Sequence, residues 1–264
     1  MVDYFMNDSI MITRFLSIAA LVFGLSVGTA YAQHNITLIK QYASDNTAFT
    51  QGLERLDDDR LLLATGRYGK SSIGVFNLRT GKYTIKAHLP KQYFGEGASV
   101  TPYGIWQLTW KEHTAFLRDA QDFHIIAKAH YDSEGWGLAY YKDQDILYMS
   151  DGTDVIQLRD AKTFKLIGNL PIRYQNKAVH LINELEFANG FIYANVWQSN
   201  FIIKIDPATG DVVKLYDATQ LLNTTFTKAQ RQHMDVLNGI AHIKDNRFYI
   251  TGKLYPNIFE VVLD

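Results

Sequence analysis

The stretch Gly135-Trp136-Gly137-Leu138 contains a small residue followed by an apolar one, and the same step recurs as Gly52-Leu53, Gly97-Ala98 and Gly239-Ile240. Glu184-Leu185 stands in the fourth of the five slots, so successive spacings are 45, 40, 47 and 55 residues. Each copy continues with an apolar strand, a short polar cluster and a third strand running into a turn, as at Asn77-Leu78-Arg79, Phe116-Leu117-Arg118, Gln157-Leu158-Arg159 and Lys204-Ile205-Asp206. Runs such as Leu61 to Thr65, Ile146 to Ser150, Phe191 to Trp197 and Phe248 to Thr251 are rich in branched and aromatic residues and bounded by turn formers, the pattern of short antiparallel strands. Units of this size suit a four-stranded propeller blade. Five copies predict an all-β, five-bladed β-propeller. The last copy ends at Asp264 with no room for an outer strand, so Ile36 to Tyr42 is expected to supply it, closing the ring and removing an exposed sheet edge. The long fourth spacing is explained by one short helix inserted over Ala218 to His233. A β-sandwich is the alternative architecture, and the period disfavours it.

Working outward, 26 Lys+Arg against 27 Asp+Glu in 264 residues gives no basic field for nucleic acid. The absence of cysteine removes disulfides, thiolate metal sites and a cysteine nucleophile together. At the start, Arg14 precedes an apolar run from Phe15 to Val27 and then Ala30-Tyr31-Ala32. That run is too short to span a bilayer and reads as a secretory signal, residues 1–32, with 33–264 as the propeller domain. Asp3 and Asp8 are unusual in such a leader, so translation from Met11 is the alternative start. A periplasmic or secreted protein is expected, with no membrane association after cleavage, and export without cysteine favours a bacterial periplasm.

The repeat register also places candidate chemistry. The residue before each small-apolar step is Gln51, Glu96, Trp136, Asn183 or Asn238, and the first strand of a propeller blade lines the central channel. A second ring, after the return strands, holds Tyr68, Trp110, Asp151, Trp197 and Lys253. Residues kept for folding alone would be alike at equivalent places, whereas these differ sharply, as in a small-molecule pocket with apolar walls and a few placed polar groups. Against this, propeller tryptophans often pack between blades, and Asn or Gln beside Gly often serves a turn. Glu184 and Glu186 alternate with Leu185 and are expected either to point outward or to bond neighbouring strands, and Asp57-Asp58-Asp59 reads as a solvated hairpin turn. The eight histidines show no zinc-binding spacing, and there is neither a Gly-x-Ser-x-Gly elbow nor a phosphate loop.

Taken in order, Phe49-Thr50-Gln51-Gly52-Leu53, Tyr68-Gly69-Lys70-Ser71-Ser72, Phe94-Gly95-Glu96-Gly97, Ser150-Asp151-Gly152-Thr153, Asn183-Glu184-Leu185-Glu186, Asn195-Val196-Trp197-Gln198, Asp235-Val236-Leu237-Asn238-Gly239 and Thr251-Gly252-Lys253-Leu254 cover nearly the whole mature chain. This set resembles the plant-type glutaminyl-peptide cyclotransferases, which also occur in bacteria. The resemblance implies a five-bladed propeller that converts N-terminal glutamine of peptides or proteins into pyroglutamate and releases ammonia. It further implies Glu96 as the proton-transferring catalytic acid, Gln51, Asn183 and Lys253 as polar partners, and Trp110, Trp136 and Trp197 as pocket walls, with Phe49 joining the substrate-binding set. Tyr255 departs from the tryptophan common in the family at that place.

No cofactor is expected for catalysis, a structural calcium in the central channel is expected with ligands unknown, and the protein is expected to be a monomer. Two rivals use the same fold: a ligand-binding propeller without chemistry, and a metal-dependent lactonase, which needs several inward carboxylates or histidines around one ion. Cleavage after Ala32 would expose Gln33, itself a substrate for cyclisation.

Overall fold

The structure, a computed structural model, describes residues 36–264; the expected signal segment and Gln33 lie outside them. After β1 (Ile36–Ala43), the first blade comprises β2 (Thr50–Arg55), β3 (Arg60–Thr65), β4 (Ser72–Asn77) and β5 (Lys82–His88), hydrogen-bonded in that order. The second holds β6 (Gly95–Thr101), β7 (Gly104–Thr109), β8 (Thr114–Arg118) and β9 (Ile125–His130), and the third β10 (Leu138–Tyr141), β11 (Ile146–Met149), β12 (Val155–Asp160) and β13 (Leu166–Pro171). A small hairpin, β14 (Arg173–Tyr174) with β15 (Lys177–Ala178), precedes the fourth blade of β16 (Ile182–Ala188), β17 (Phe191–Val196), β18 (Phe201–Ile205) and β19 (Val212–Asp217). In the fifth, β20 (Leu237–Lys244), β21 (Arg247–Gly252) and β22 (Asn257–Leu263) are completed by β1. β1 runs antiparallel to β22, from Ile36 opposite Leu263 to Ala43 opposite Asn257, so the ring closes as the sequence predicts.

The insertion corrects one expectation. Instead of one helix it forms two, α1 (Thr219–Thr225) and α2 (Lys228–Arg231). Phe226 is extended between them, and Thr227 caps the second helix, its hydroxyl accepting from the Gln230 amide while the Gln230 side chain accepts in return. Phe226 packs edge-on against Tyr255 at 5.7 Å, which is where that departure from the family pattern is accommodated. None of the described helices is long and apolar enough to cross a membrane.

Packing explains the repeat. A Cβ placed on Gly97 would lie 2.6 Å from Trp136 O, and one on Gly137 would lie 2.2 Å from Asn183 O. The small residue is therefore the point where the inner strand of one blade meets the backbone of the next. The apolar residue after it turns into an interblade layer: Leu53 joins Leu61, Phe76 and Tyr249 between blades five and one, and Leu138 joins Trp106, Leu147 and Phe164 between blades two and three. Asp57-Asp58-Asp59 is a hairpin turn, with exposed ion pairs to Arg55, Arg60 and Arg79.

The fourth slot, lacking glycine, carries a channel acid. Glu184 is fully buried and reaches across the ring, where Leu53 N donates to its Oε1 at 3.2 Å. Burial drives its carboxyl, and that of Glu186, well above the usual range, each raised further by Glu54 and, for Glu184, by Glu186. Glu54 is likewise pushed by burial from 4.5 to about 7, although Val100 N donates to it at 2.7 Å. Glu184 is sealed from solvent, whereas Glu54 and Glu186 are half-buried, and Glu186 meets the His242 backbone of the neighbouring blade, which favours the strand-bonding alternative.

A folded-state pKa above the unfolded one means the native protein binds more protons. The associated stability is present below about pH 4.5 and lost as pH rises through about 7. Thermal unfolding followed by circular dichroism is expected to show Tm falling by roughly 5 to 10 °C between about pH 5 and about pH 8. Glu54→Gln is expected to flatten that slope, and an equally steep slope in the variant would locate the effect elsewhere.

Candidate active site

Because strands alternate in direction, the starts of the inner strands and the ends of their neighbours converge on one mouth of the ring. Gln51, Glu96 and Asn183 sit near the starts of β2, β6 and β16, and Trp136 just ahead of β10, while Trp110, Trp197 and Lys253 follow the ends of β7, β17 and β21. Together with Phe49, Phe94 and Asp235 they line a cavity of about 190 Å³. Glu96 and the seven residues expected to bind substrate, Phe49, Gln51, Trp110, Trp136, Asn183, Trp197 and Lys253, are all in this wall.

Other members of the two rings do different work. Asn238 is buried outside this wall, its Nδ2 donating to Thr50 O at 3.1 Å and Gln51 Oε1 at 3.3 Å. Asp151 holds its own turn through Thr153 and accepts from Gln157 Nε2, and Tyr68 is an exposed rim residue donating to Glu112 Oε1 at 2.8 Å. Of the four tryptophans, Trp106 follows the packing expectation, buried between blades with Nε1 donating to Ala161 O at 2.8 Å.

Glu96 is 5% exposed and accepts one bond, from Gln51 Nε2 at 3.1 Å. Asn238 fixes Gln51 and Gln51 fixes the carboxyl, which leaves its second oxygen for a ligand. Burial raises the Glu96 pKa well above the usual carboxylate range, Lys253 opposes that rise, and Glu134 and Glu112 add to it. Lys253 is also buried, which lowers its ammonium pKa against the pull of Glu96 and Asp235; its Nζ lies 5.0 Å from the centre of the Phe49 ring. The segment around it is pinned by Asp235 N donating to Lys253 O and Lys253 N to Val236 O, each at 2.9 Å. A buried acid and a buried base thus face one cavity with their protonation equilibria drawn toward neutrality.

The walls are held from outside. Trp110 Nε1 and Trp136 Nε1 both donate to Glu134 Oε2, at 2.6 and 2.9 Å, and Trp136 meets Trp197 edge-on at 5.5 Å. Phe94 contacts Phe49 at 6.2 Å and Trp110 at 5.5 Å, completing an aromatic rim. Asn183 Oδ1 is buried with no partner among the described residues, an acceptor oriented by the strand rather than by a neighbour. Apolar walls with two acids, one amine and two amides can grip a small polar group, exclude water and move a proton.

The glutamine cyclotransferase family model matches residues 14–263. The chain belongs to that family. Glutaminyl-peptide cyclotransferase of Arabidopsis thaliana is 35% identical over 91% of this chain and 75% of its own length. The crystal structure of Myxococcus xanthus glutaminyl cyclase superposes with a TM-score of 0.75 at 32% identity, covering 88% of this chain and 97% of that one. A Bacteroides thetaiotaomicron protein of unknown function, at 11% identity and a TM-score of 0.50, shares the fold over 87% of this chain and 76% of its own.

Within this cyclotransferase, Phe94, Asp235 and the wall-holding Glu134 were missed from sequence. A signal existed for two of them. Phe94 stands two residues before Glu96, as Phe49 does before Gln51, and Glu134 stands two before Trp136, so the register that found the rings also points one step outward. Asp235 is out of that register and had no such signal.

Proposed function

We propose that this protein converts the N-terminal glutamine of peptides or proteins into pyroglutamate, without a metal, with Glu96 carrying the proton. The observation supporting it is a desolvated carboxyl, tethered by Gln51, inside a cavity walled by three tryptophans. The walls fold the flexible glutamine side chain back until its α-amine nitrogen is in attack range of the γ-amide carbon. As the new C–N bond forms, the Glu96 carboxylate takes a proton from the amine. It then delivers that proton to the amide nitrogen, and the old C–N bond breaks to release ammonia. Lys253 stabilises the oxygen of the tetrahedral intermediate, and Asn183 Oδ1 accepts from the amine or amide N–H.

The test is ammonia release from a Gln-initiated dipeptide by purified protein, with a strong chelator in a parallel arm. Turnover that persists in chelator is the expected result; none from folded protein on several such peptides would favour a binding propeller. Periplasmic or secreted location and a monomeric state belong to the same proposal. The channel calcium is kept as a structural proposal without assigned ligands; Glu184 Oε2 is buried and unpartnered among the described residues. The one described group of three ligating atoms within 4.8 Å of one another, Asp119, Asp122 and His124, lies on the surface.

A further inference from the structure

A second cavity of about 530 Å³ adjoins the first, and Phe49 is common to the lining of both. Part of its lining is the loop between β3 and β4, which presents Arg67 and Lys70, both exposed. The Arg67 guanidinium lies over the Phe49 ring at 4.8 Å, so one aromatic side chain separates it from the proposed reaction chamber. Neither cation is engaged in an ion pair among the described residues. The cavity's one carboxylate, Asp45, accepts from Thr47 N and Oγ1 at 2.9 and 2.7 Å.

Arg67 is held in an unusual backbone conformation, with φ of 139°. That region is nearly reserved for glycine, and a side chain there costs about 1–3 kcal/mol. The conformation is secured by Ser71, whose Oγ accepts from Arg67 N and donates to Arg67 O, and which also accepts from Gly95 N beside Glu96. The loop is thus strained, tied to the catalytic strand, and aims a cation along the first cavity's edge.

Charge is divided between the two cavities. Glu96 and Asp235 line the first with Lys253, and Glu112 and Glu134 hold its rim with Lys111 beside Glu134, so its acids outnumber its cations and favour an incoming α-amine. Arg67 and Lys70 outweigh Asp45 in the second. A dipolar peptide is therefore oriented with its amino end over Glu96 and negative charge beyond Phe49. Each extended residue advances at most about 3.6 Å, so the second and third residues are those that clear one ring.

We propose that the Arg67–Lys70 cavity is a subsite for a carboxylate at the second or third residue of the substrate, whether an acidic side chain or the C-terminus of a short peptide. This rests on the cyclisation reading above and assigns its substrate preference.

The test compares kcat/KM for Gln-Ala-amide, Gln-Ala with a free C-terminus, Gln-Glu-amide and Gln-Lys-amide, in wild type, Arg67→Gly and Lys70→Ala. Carboxylate-bearing peptides are expected to exceed Gln-Ala-amide roughly three- to tenfold at low salt, less at high salt, with Gln-Lys-amide poorest. Comparing Gln-Glu-amide with free Gln-Ala separates the side-chain source from the C-terminal one. Each variant is expected to shrink the ratio. Arg67→Gly relieves the backbone strain, so its Tm is expected to be equal or higher, and lost preference there is not lost folding. Equal kcat/KM across the wild-type series, or a preference that survives both variants, overturns the subsite alone. Absence of turnover on every peptide overturns the cyclisation reading itself.

Discussion

Glu96→Gln is expected to lower kcat for ammonia release by about 10² to 10⁴ while leaving KM and the fold nearly unchanged. The replacement has the same shape, and its amide oxygen can still accept the bond that Gln51 Nε2 now makes to Glu96 Oε1. Walls and rim stay in place, so substrate binding is preserved. What is lost is the ability to take a proton from the amine and return it to the departing nitrogen. Burial of the charged form disfavours the native carboxylate, so the neutral variant is expected to unfold at the same temperature or a higher one. Steady-state kinetics with matched thermal melts make the check. Turnover within threefold of wild type would remove Glu96 from the proton path, and a collapse of Tm alongside kcat would make its role structural.

Gly137→Ala is expected to be the most damaging methyl group that can be added near this site. Its Cβ would stand 2.2 Å from Asn183 O and 2.7 Å from Glu184 Cα, both backbone atoms that cannot rotate away. Overpacking of this kind costs about 3 kcal/mol or more, equivalent to a fall in Tm of roughly 6–12 °C for a domain of this size. The strand that must yield carries Asn183, so the folded fraction is expected to lose activity as well, since a shift of about 1 Å can cost about 10² in rate. Gly168→Ala is the comparison, because its nearest neighbours would be 3.8 Å away, and its Tm and kcat/KM are expected to match wild type. Equal melts for both variants would mean that the close approach of inner strands does not set the repeat.

The sequence by itself determined the blade count, the closing strand and the register from which most of the cavity residues start. These depend on what is repeated locally: a small residue wherever two inner strands touch, an apolar one facing the interblade layer, and turn formers at near-constant spacing. Glu96, Gln51, Trp136 and Asn183 were legible because the ring turns positions far apart in sequence into one circle, and Lys253 was legible as a lysine on an inward register. Phe226, by contrast, carries no local signal that it will be extended and split the insertion into two helices; its packing against Tyr255 and Phe259 comes from the turn before β22 and from β22 itself. The same holds for Asp151, which sits in register yet is drawn off by Thr153 and Gln157, and for Glu134, whose task is defined by two indole N–H groups that meet only in the assembled ring. The tertiary structure alone decided which register positions reach the cavity, which acid is sealed in the channel, and in which direction burial moves Glu96 and Lys253. Desolvation and orientation are set by every atom packed around a group, whereas a repeat in the chain specifies only the position from which that group starts.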